Sequence, residues 1–571
     1  MKPVLLLLFS ISVLVSRAQL LIRNTSIVDV ENKKILPQQD VLIQNGAIAA
    51  IGKKLSAPAG TKEMNGSGKW LMPGFVDAHV HFFQSGGIYA RPDAVDLRKY
   101  KPYEQEIAWT HQNMEHFLRR YTRAGITTVI DVGSTINFLK QRDTFRNKTY
   151  APAIYMTGPL LTTWEPQVYK GLKEDEPFYE MKTPQDARAF VQKQLPYKPD
   201  FIKIWYIVMG QNTDSAARVN LPLVQAVIDE AHKHNLRVAV HATERITAQL
   251  AVEAGADLLV HGIDDEPVDA AFVSLLKSKK VVLSPTLLVS YGYRNTFGQA
   301  YDITPDHFHY AHPHPANSIL DFKHLRDTAL RERYRLAMQR TAARAGKEDS
   351  LLRLNLKRLV EGGVTIATGT DAGNIGTQHV SSYFDELTAM KQSGMNMWQL
   401  IQASTINGAR AIGKEAEFGS VTKGKRADLL LLSKNPLDSL SNWKNIDWVI
   451  NKGVALKRDS VLKPSPVELA DQQLLAYNAH NLEAFLAPYA EDVEIYDLNT
   501  NKLRIKGKEE MRKNYKFLNS PGKLHCNLLN RIVQDNIVID HEEILTDKGT
   551  FYGVAIYETK NGKIAKVWFP R

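Results

Sequence analysis

Six side chains able to bind a metal or move a proton stand at or near the ends of short apolar runs in this 571-residue chain. His79 and His81 close the run from Phe75 to His81. In a strand, the period of two puts both imidazoles on one face, within reach of a single divalent cation. Taken alone, a His-x-His pair is more often coincidence than a metal site. Lys203 lies inside Phe201 to Trp205, His241 ends Arg237 to His241, His261 ends Leu258 to His261, and Asp371 follows Thr368-Gly369-Thr370. Each has a plainer reading: a strand-end His or Asp can cap a loop, and a Lys can sit exposed on an amphipathic strand. Six such groups at one mouth are harder to explain that way, because desolvating them together is costly without a compensating cation. The single cysteine, Cys526, can form neither an intramolecular disulfide nor a Cys-rich zinc site. Any metal therefore falls to His, Asp, Glu or a less usual ligand.

Positioning these groups requires strands that end side by side. Eight apolar segments qualify, at 75–81, 126–132, 153–158, 201–207, 237–241, 257–261, 281–286 and 364–370. Amphipathic helical segments separate most of them, for example 104–123, 184–195, 221–234 and 245–254. The alternation predicts an α/β fold, a (β/α)8 TIM-type barrel over 73–414, whose site lies at the C-terminal ends of the strands. Both flanks, 19–72 and 415–462, have strand-and-turn texture and are expected to join in one small β-sandwich domain. Lys463-Pro464-Ser465-Pro466 reads as a linker. A third unit of α+β type follows at 467–571, with helices at 467–489 and 508–518 and strands at 524–533, 536–545, 549–557 and 563–568.

Residues 1–18 have a basic start at Lys2, an apolar run from Val4 to Val15, and small residues at Ser16 and Ala18. They predict an export signal cleaved after Ala18, hence a periplasmic or secreted protein without stable membrane insertion. The apolar run is shorter than the ~20 residues a spanning helix needs. Apolar residues at 44% and charged residues at 23% exclude a disordered or low-complexity chain. The formal charge of +11 is spread without a basic block, which argues against a nucleic-acid partner.

From about 20 to 460 the chain resembles the amidohydrolase superfamily, in particular its imidazolonepropionase-like and Xaa-Pro dipeptidase-like branch. The residues that carry this are the stretch Pro73 to His81, Lys203, His241, His261 and the stretch Thr368 to Gly373. Two positions depart from the pattern: Val260 precedes His261 where relatives often carry Glu, and Ile130 precedes Asp131 where many carry Arg. The resemblance implies two divalent ions, Zn²⁺ in the first place. His79, His81 and Asp371 would hold one and His241 and His261 the other, with Lys203 bridging them as a carbamate. It also implies a metal-activated hydroxide attacking a carbonyl carbon, Asp371 as general acid and base, and His261 and Lys203 at the reacting centre. With Lys203 unmodified, a mononuclear site on His79, His81, His241 or His261, and Asp371 is the alternative. The expected reaction is hydrolysis of a C–N bond in an amide, cyclic amide or dipeptide-like small molecule. Ester, lactone or phosphotriester hydrolysis on the same site, and a binding protein without turnover, are the other readings.

Residues 467–571 resemble the SnoaL-like branch of the nuclear-transport-factor-2-like (NTF2-like) fold, a curved sheet wrapped by helices into a cone. The stretches Tyr477 to Phe485 and Tyr489 to Tyr496 carry the likeness. Relatives use such a cone as an enzyme pocket, a binding pocket or a dimer interface. Asp492, Asp497, Asp540 and His541 are its polar candidates, with surface placement as the plainer reading, and a homo-oligomer through the sheet is expected. In the barrel, the four histidines His307, His309, His312 and His314 read as part of a lid or surface loop within 290–350 rather than a second metal site. Tyr206 is a candidate substrate contact, and Phe82, Phe83 and Trp164 are candidate pocket walls or core residues.

Overall fold

The computed structural model describes residues 19–520 and 522–570, so the expected export signal at 1–18 lies outside the described residues. Eight parallel strands form the barrel: β1 (Phe75–Val80), β2 (Ile126–Asp131), β3 (Ala153–Met156, continued as Leu160–Thr162), β4 (Ile202–Trp205), β5 (Val238–His241), β6 (Leu258–Val260), β7 (Val282–Ser284) and β8 (Thr365–Ile366). Helices cover the outer face and side chains fill the interior, so the strands read as continuous apolar runs rather than alternating ones. All six residues of β1 are buried. Val76, Ala78, Ile130, Ala239, Val260 and Val282 pack in the interior. The barrel closes where Ala78 N–H donates to Thr368 O (2.8 Å) and Asp371 N–H to His79 O (2.7 Å).

The third strand differs from the single run expected at 153–158. Its first half pairs with β2 and its second half, beyond Gly158-Pro159, pairs with β4. Pro159 has no N–H for the ladder, so the strand breaks there and its two halves serve different neighbours.

The two flanks share one eight-stranded sheet, in which Leu429–Leu432 lies antiparallel to Trp70–Pro73. Leu20–Asp29 is one continuous strand. Register shifts between Ile22, Thr25 and Ile27 bend it, so that one half pairs with Lys62–Asn65 and the other with Trp70–Pro73.

The C-terminal unit is a six-stranded sheet with helices on its inner face. The helix expected over 467–489 is shorter: Pro466–Asn478 stops, Asn481 caps Leu482–Leu486, and Tyr489–Asp497 is a strand. Burial of Tyr489, Val493, Ile495 and Asp497 shows its strand period, in a segment beyond 489 for which no element was expected.

The excursion between β7 and β8 corrects another expectation. Residues 305–314 are not a surface loop. They form the helix Pro305–Tyr310 and the start of Pro313–Asp321, with His307 and His312 buried. Both prolines sit at the first helical position, where the missing N–H costs nothing, so they start helices instead of interrupting them. Thr328–Glu361 then runs as one helix of 34 residues. Among the described residues no helix is long and apolar enough to cross a membrane.

Candidate metal centre

β1, β4, β5, β6 and β8 deliver the six side chains to one end of the barrel. His79 Nε2 lies 3.1 Å and His81 Nε2 3.0 Å from Asp371 Oδ1, and the two Nε2 atoms are 3.2 Å apart. His261 faces His79 with ring centroids 5.0 Å apart and His241 at 4.3 Å. Ligand atoms of His79, His261 and Asp371 lie within 4.8 Å of one another. Lys203 pairs with Ala239 of β5 and is 1% exposed; among the described residues no carboxylate comes within 4.0 Å of its ammonium group.

The protonation pattern is that of a ligand set. Burial pushes His79 down to about 4 and, together with neighbouring positive charge, holds His241 and His261 well below the usual imidazole range. Burial raises the cost of ionising Asp371, yet the adjacent His79 and His81 hold its carboxyl well below the usual carboxylate range. Burial also pushes Lys203 down to about 7. The decisive contact is His81 with Asp371. The Nδ1 proton of His81 is donated to Gly133 O at 2.7 Å, which turns Nε2 toward His79 Nε2 and Asp371 Oδ1. Asp371 Oδ1 is buried and receives no hydrogen bond. Nε2 of His79, Nε2 of His81 and Oδ1 of Asp371 thus crowd within 3.2 Å of one another, buried and converging on one point, so these residues fit a divalent metal.

Several positioning residues carried no flag in the sequence. Asp77 accepts from Thr370 N–H (3.1 Å) and Thr370 Oγ1 (2.8 Å), tying β1 to the turn that presents Asp371. Asp131 accepts from the N–H groups of Phe82 (3.0 Å) and Gly133 (3.2 Å), fixing the carbonyl that orients His81. Thr286 Oγ1 hydrogen-bonds Nδ1 of His261 at 2.7 Å; in the tautomer that offers Nε2 to a metal, the hydroxyl accepts the Nδ1 proton. Arg91 and Tyr293 both donate to Asn374 Oδ1, while Asn374 Nδ2 donates to Asp371 O (3.0 Å). Asp77 shares the parity of His79 and His81, and Asp131 ends a strand, so both were findable from the sequence. Thr286 was not: its role rests on backbone at φ +45° that brings it under a ring from another strand. His261 (φ +81°) and Asp371 (φ +59°) are also left-handed, a strain that collects where side chains must aim at one point.

Other candidates fall elsewhere. Tyr206 is fully buried and donates to Ala217 O, so it is a core residue and not a substrate contact. Phe82 stacks on His379 in the core, Phe83 lies edge-on to His81 at 5.9 Å, and Trp164 is 39% exposed beside Trp205. In the C-terminal unit Asp492 and His541 are on the surface, Asp497 caps its own turn, and Asp540 pairs with Arg531.

The strand ends of this parallel (β/α)8 barrel thus gather four imidazoles, a carboxylate and a buried lysine into one candidate metal centre. The chain belongs to the Amidohydrolase family, whose profile matches residues 70–456, and residues 470–567 match that of the SnoaL-like domain. Among curated relatives, a deacetylase of Brucella anthropi is 33% identical over 97 residues, covering 17% of this chain and 18% of that protein. An imidazolonepropionase of Symbiobacterium thermophilum is 39% identical over 77 residues, covering 14% and 18%. The chain thus spans about a fifth of the length of these relatives. Among solved structures, a Xaa-Pro dipeptidase with bound methionine superposes with TM-score 0.57 at 21% identity, over 77% of this chain and all of that one. At that identity the likeness is one of fold.

Proposed function

We propose that this chain is an exported, metal-dependent hydrolase of C–N bonds in small amides, cyclic amides or dipeptide-like molecules. The convergence of His79, His81 and Asp371, with their ligand atoms within 3.2 Å of one another, carries the reading, supported by the family match and by the names of relatives. His79, His81 and Asp371 would hold one ion and His241 and His261 a second, with zinc the ordinary choice for such donors. Bound metal supplies polarisation of the scissile carbonyl and an activated water near neutral pH.

The chain's own groups supply the rest. Lys203 is neutral in substantial fraction at pH 7, because burial brings its amine down to about 7. Its lone pair can add to CO2, forming an N–C bond and releasing a proton to solvent, which turns an unpartnered cation into an anionic ligand. Asp371, ionised at the strand end, takes a proton from the attacking water at its carboxylate and returns it to the leaving nitrogen. Asn374, Asp77 and Thr370 hold the Asp371 turn still while this happens.

Elemental analysis of the purified full chain tests the proposal: two equivalents of metal are expected, and Lys203→Ala should lose metal and activity together. Retention of both by that variant would refute the binuclear scheme, and absence of metal after zinc-replete expression would refute metal dependence. A panel of N-acyl amino acids, Xaa-Pro and Xaa-Arg dipeptides, cyclic amides and lactones separates amide from ester chemistry. Export is supported by residues 1–18 alone; a mature N-terminus at Gln19 in the secreted or periplasmic fraction is the expected outcome. The chain further pairs with a second copy of itself through the outer face of the C-terminal sheet in this proposal.

A further inference from the structure

The candidate metal centre is not equally covered on all sides. His79 and His81 are buried, whereas His241 and His261, at the ends of β5 and β6, are partly exposed, so solvent reaches the centre past these two rings. Trp205 ends β4 beside them. It is in register with His241 and shares the parity of Lys203, so it projects to the same end of the barrel. The Trp205 and His241 rings meet edge to face with centroids 6.0 Å apart, and Trp205 is itself partly exposed. Trp164, just past the Thr162 end of β3, stands against Trp205 at 6.1 Å and is 39% exposed. Buried Phe178 packs against Trp205 at 4.9 Å.

Hydrogen bonds fix the backbone that carries both indoles. Thr162 Oγ1 accepts from Trp164 N–H (3.1 Å) and donates to Trp164 O (2.6 Å). Thr163 Oγ1 accepts from Ile207 N–H (3.0 Å) and donates to Ile207 O (2.5 Å), tying the turn after β3 to the turn after β4. Val208, partly buried, and Met209, 63% exposed, follow in that second turn. Glu165, next to Trp164, is buried with its carboxylate 3.7 Å from Lys170 Nζ. Single exposed apolar side chains are ordinary on a protein surface. Trp164 differs because it extends an aromatic wall that begins at a metal-ligand candidate. An indole held in water forgoes the burial it would gain in a core, and a flat apolar group laid on it at the mouth restores that burial.

We propose that Trp164 and Trp205 form the specificity-determining wall of the metal centre, and that the substrate carries an aromatic or large apolar group beside the scissile C–N bond. This inference rests on the hydrolysis proposed for that centre and names the substrate class within it.

The test uses the zinc-loaded full chain and three compounds that share one amide. N-acetylglycine is the reference, N-acetylphenylalanine carries a ring on the amine side, and N-phenylacetylglycine carries one on the acyl side. Each is read as kcat/KM where it is turned over and as Kd by calorimetry where it is not. At least one ring-bearing compound should exceed the reference by about tenfold, and the one that does shows on which side of the amide the ring lies. Trp164→Ala, at an exposed position, should cut that ratio by about fivefold, and Trp164→Phe should keep most of it. Both variants should carry as much metal as the wild type. A ratio near one, a ratio undiminished in Trp164→Ala, loss of metal in that variant, or neither binding nor turnover of any compound would each overturn the inference. Preferential binding of a ring-bearing compound without hydrolysis of any of the three would count against C–N hydrolysis and leave the aromatic wall standing.

Discussion

At the scale of single residues, the site depends on which nitrogen of each imidazole carries its proton. Thr286→Val removes the hydroxyl partner of His261 Nδ1 while keeping shape. Metal affinity should fall about 10–100-fold, read by competition with a chelator, with little change in folding. An unchanged affinity would show that the ring is held by packing alone. A second prediction concerns Glu542 in the C-terminal core, which burial, aided by Asp540, pushes up to about 7. A carboxyl raised in the folded state contributes its stability below the unfolded value near 4.5 and loses it as pH climbs toward 7. Glu542→Gln keeps a neutral hydrogen-bonding group, so it should match the wild type at pH 4 and exceed it by about 2 kcal/mol at pH 8. Denaturant unfolding at the two pH values measures the difference; an equal gap at both would contradict the shift.

At the scale of elements, the close approach of β8 to β1 brings Asp371 against His79. Gly369 makes it possible: a Cβ there would lie 2.3 Å from Ser284 Oγ and 2.7 Å from His79 Cβ. Gly369→Ala should push the end of β8 outward and cost at least tenfold in metal affinity together with a lower Tm. Normal metal content in a folded variant would show that the strand end shifts freely. The existence and order of the barrel strands were legible in the sequence, because strands covered on both faces write themselves as short Val-, Ile- and Leu-rich runs. The break in β3 was less so, since it follows from Pro159 meeting two different neighbours. The helices at 305–321 were misread because proline marks a helix start as often as a loop, and only burial of His307 and His312 separates the two.

At the scale of the whole molecule, the outer face of the C-terminal sheet supports the proposed homodimer. Leu503, Tyr496, Trp568, Ile556, Ile539 and Ile532 are register partners across all six strands, an apolar row that is partly or fully exposed. The adjoining row reads Lys506, Glu494, Lys566, Glu558. Alternating charge of this kind opposes unlike charges when a second copy faces it in the reverse sense, as a two-fold axis requires. Light scattering on the eluting full chain should give a dimer, and Ile556→Lys should give a monomer with an intact metal site. A monomeric wild type would remove the proposal.

What the sequence determined by itself was local: which residue types stand at strand ends, that His79 and His81 share a face, and that a chain with one cysteine leaves a metal to nitrogen and oxygen. These follow from periods of two and from composition, which need no long-range contact. The tertiary structure decided the rest. It set a proton on His81 Nδ1 through a carbonyl 52 residues away and brought the Thr286 hydroxyl to His261 Nδ1. It brought two imidazoles against Asp371 and buried Lys203 without a carboxylate within ion-pair distance among the described residues. Tautomer, desolvation and charge balance are properties of neighbours, and neighbours exist only once the chain has closed on itself.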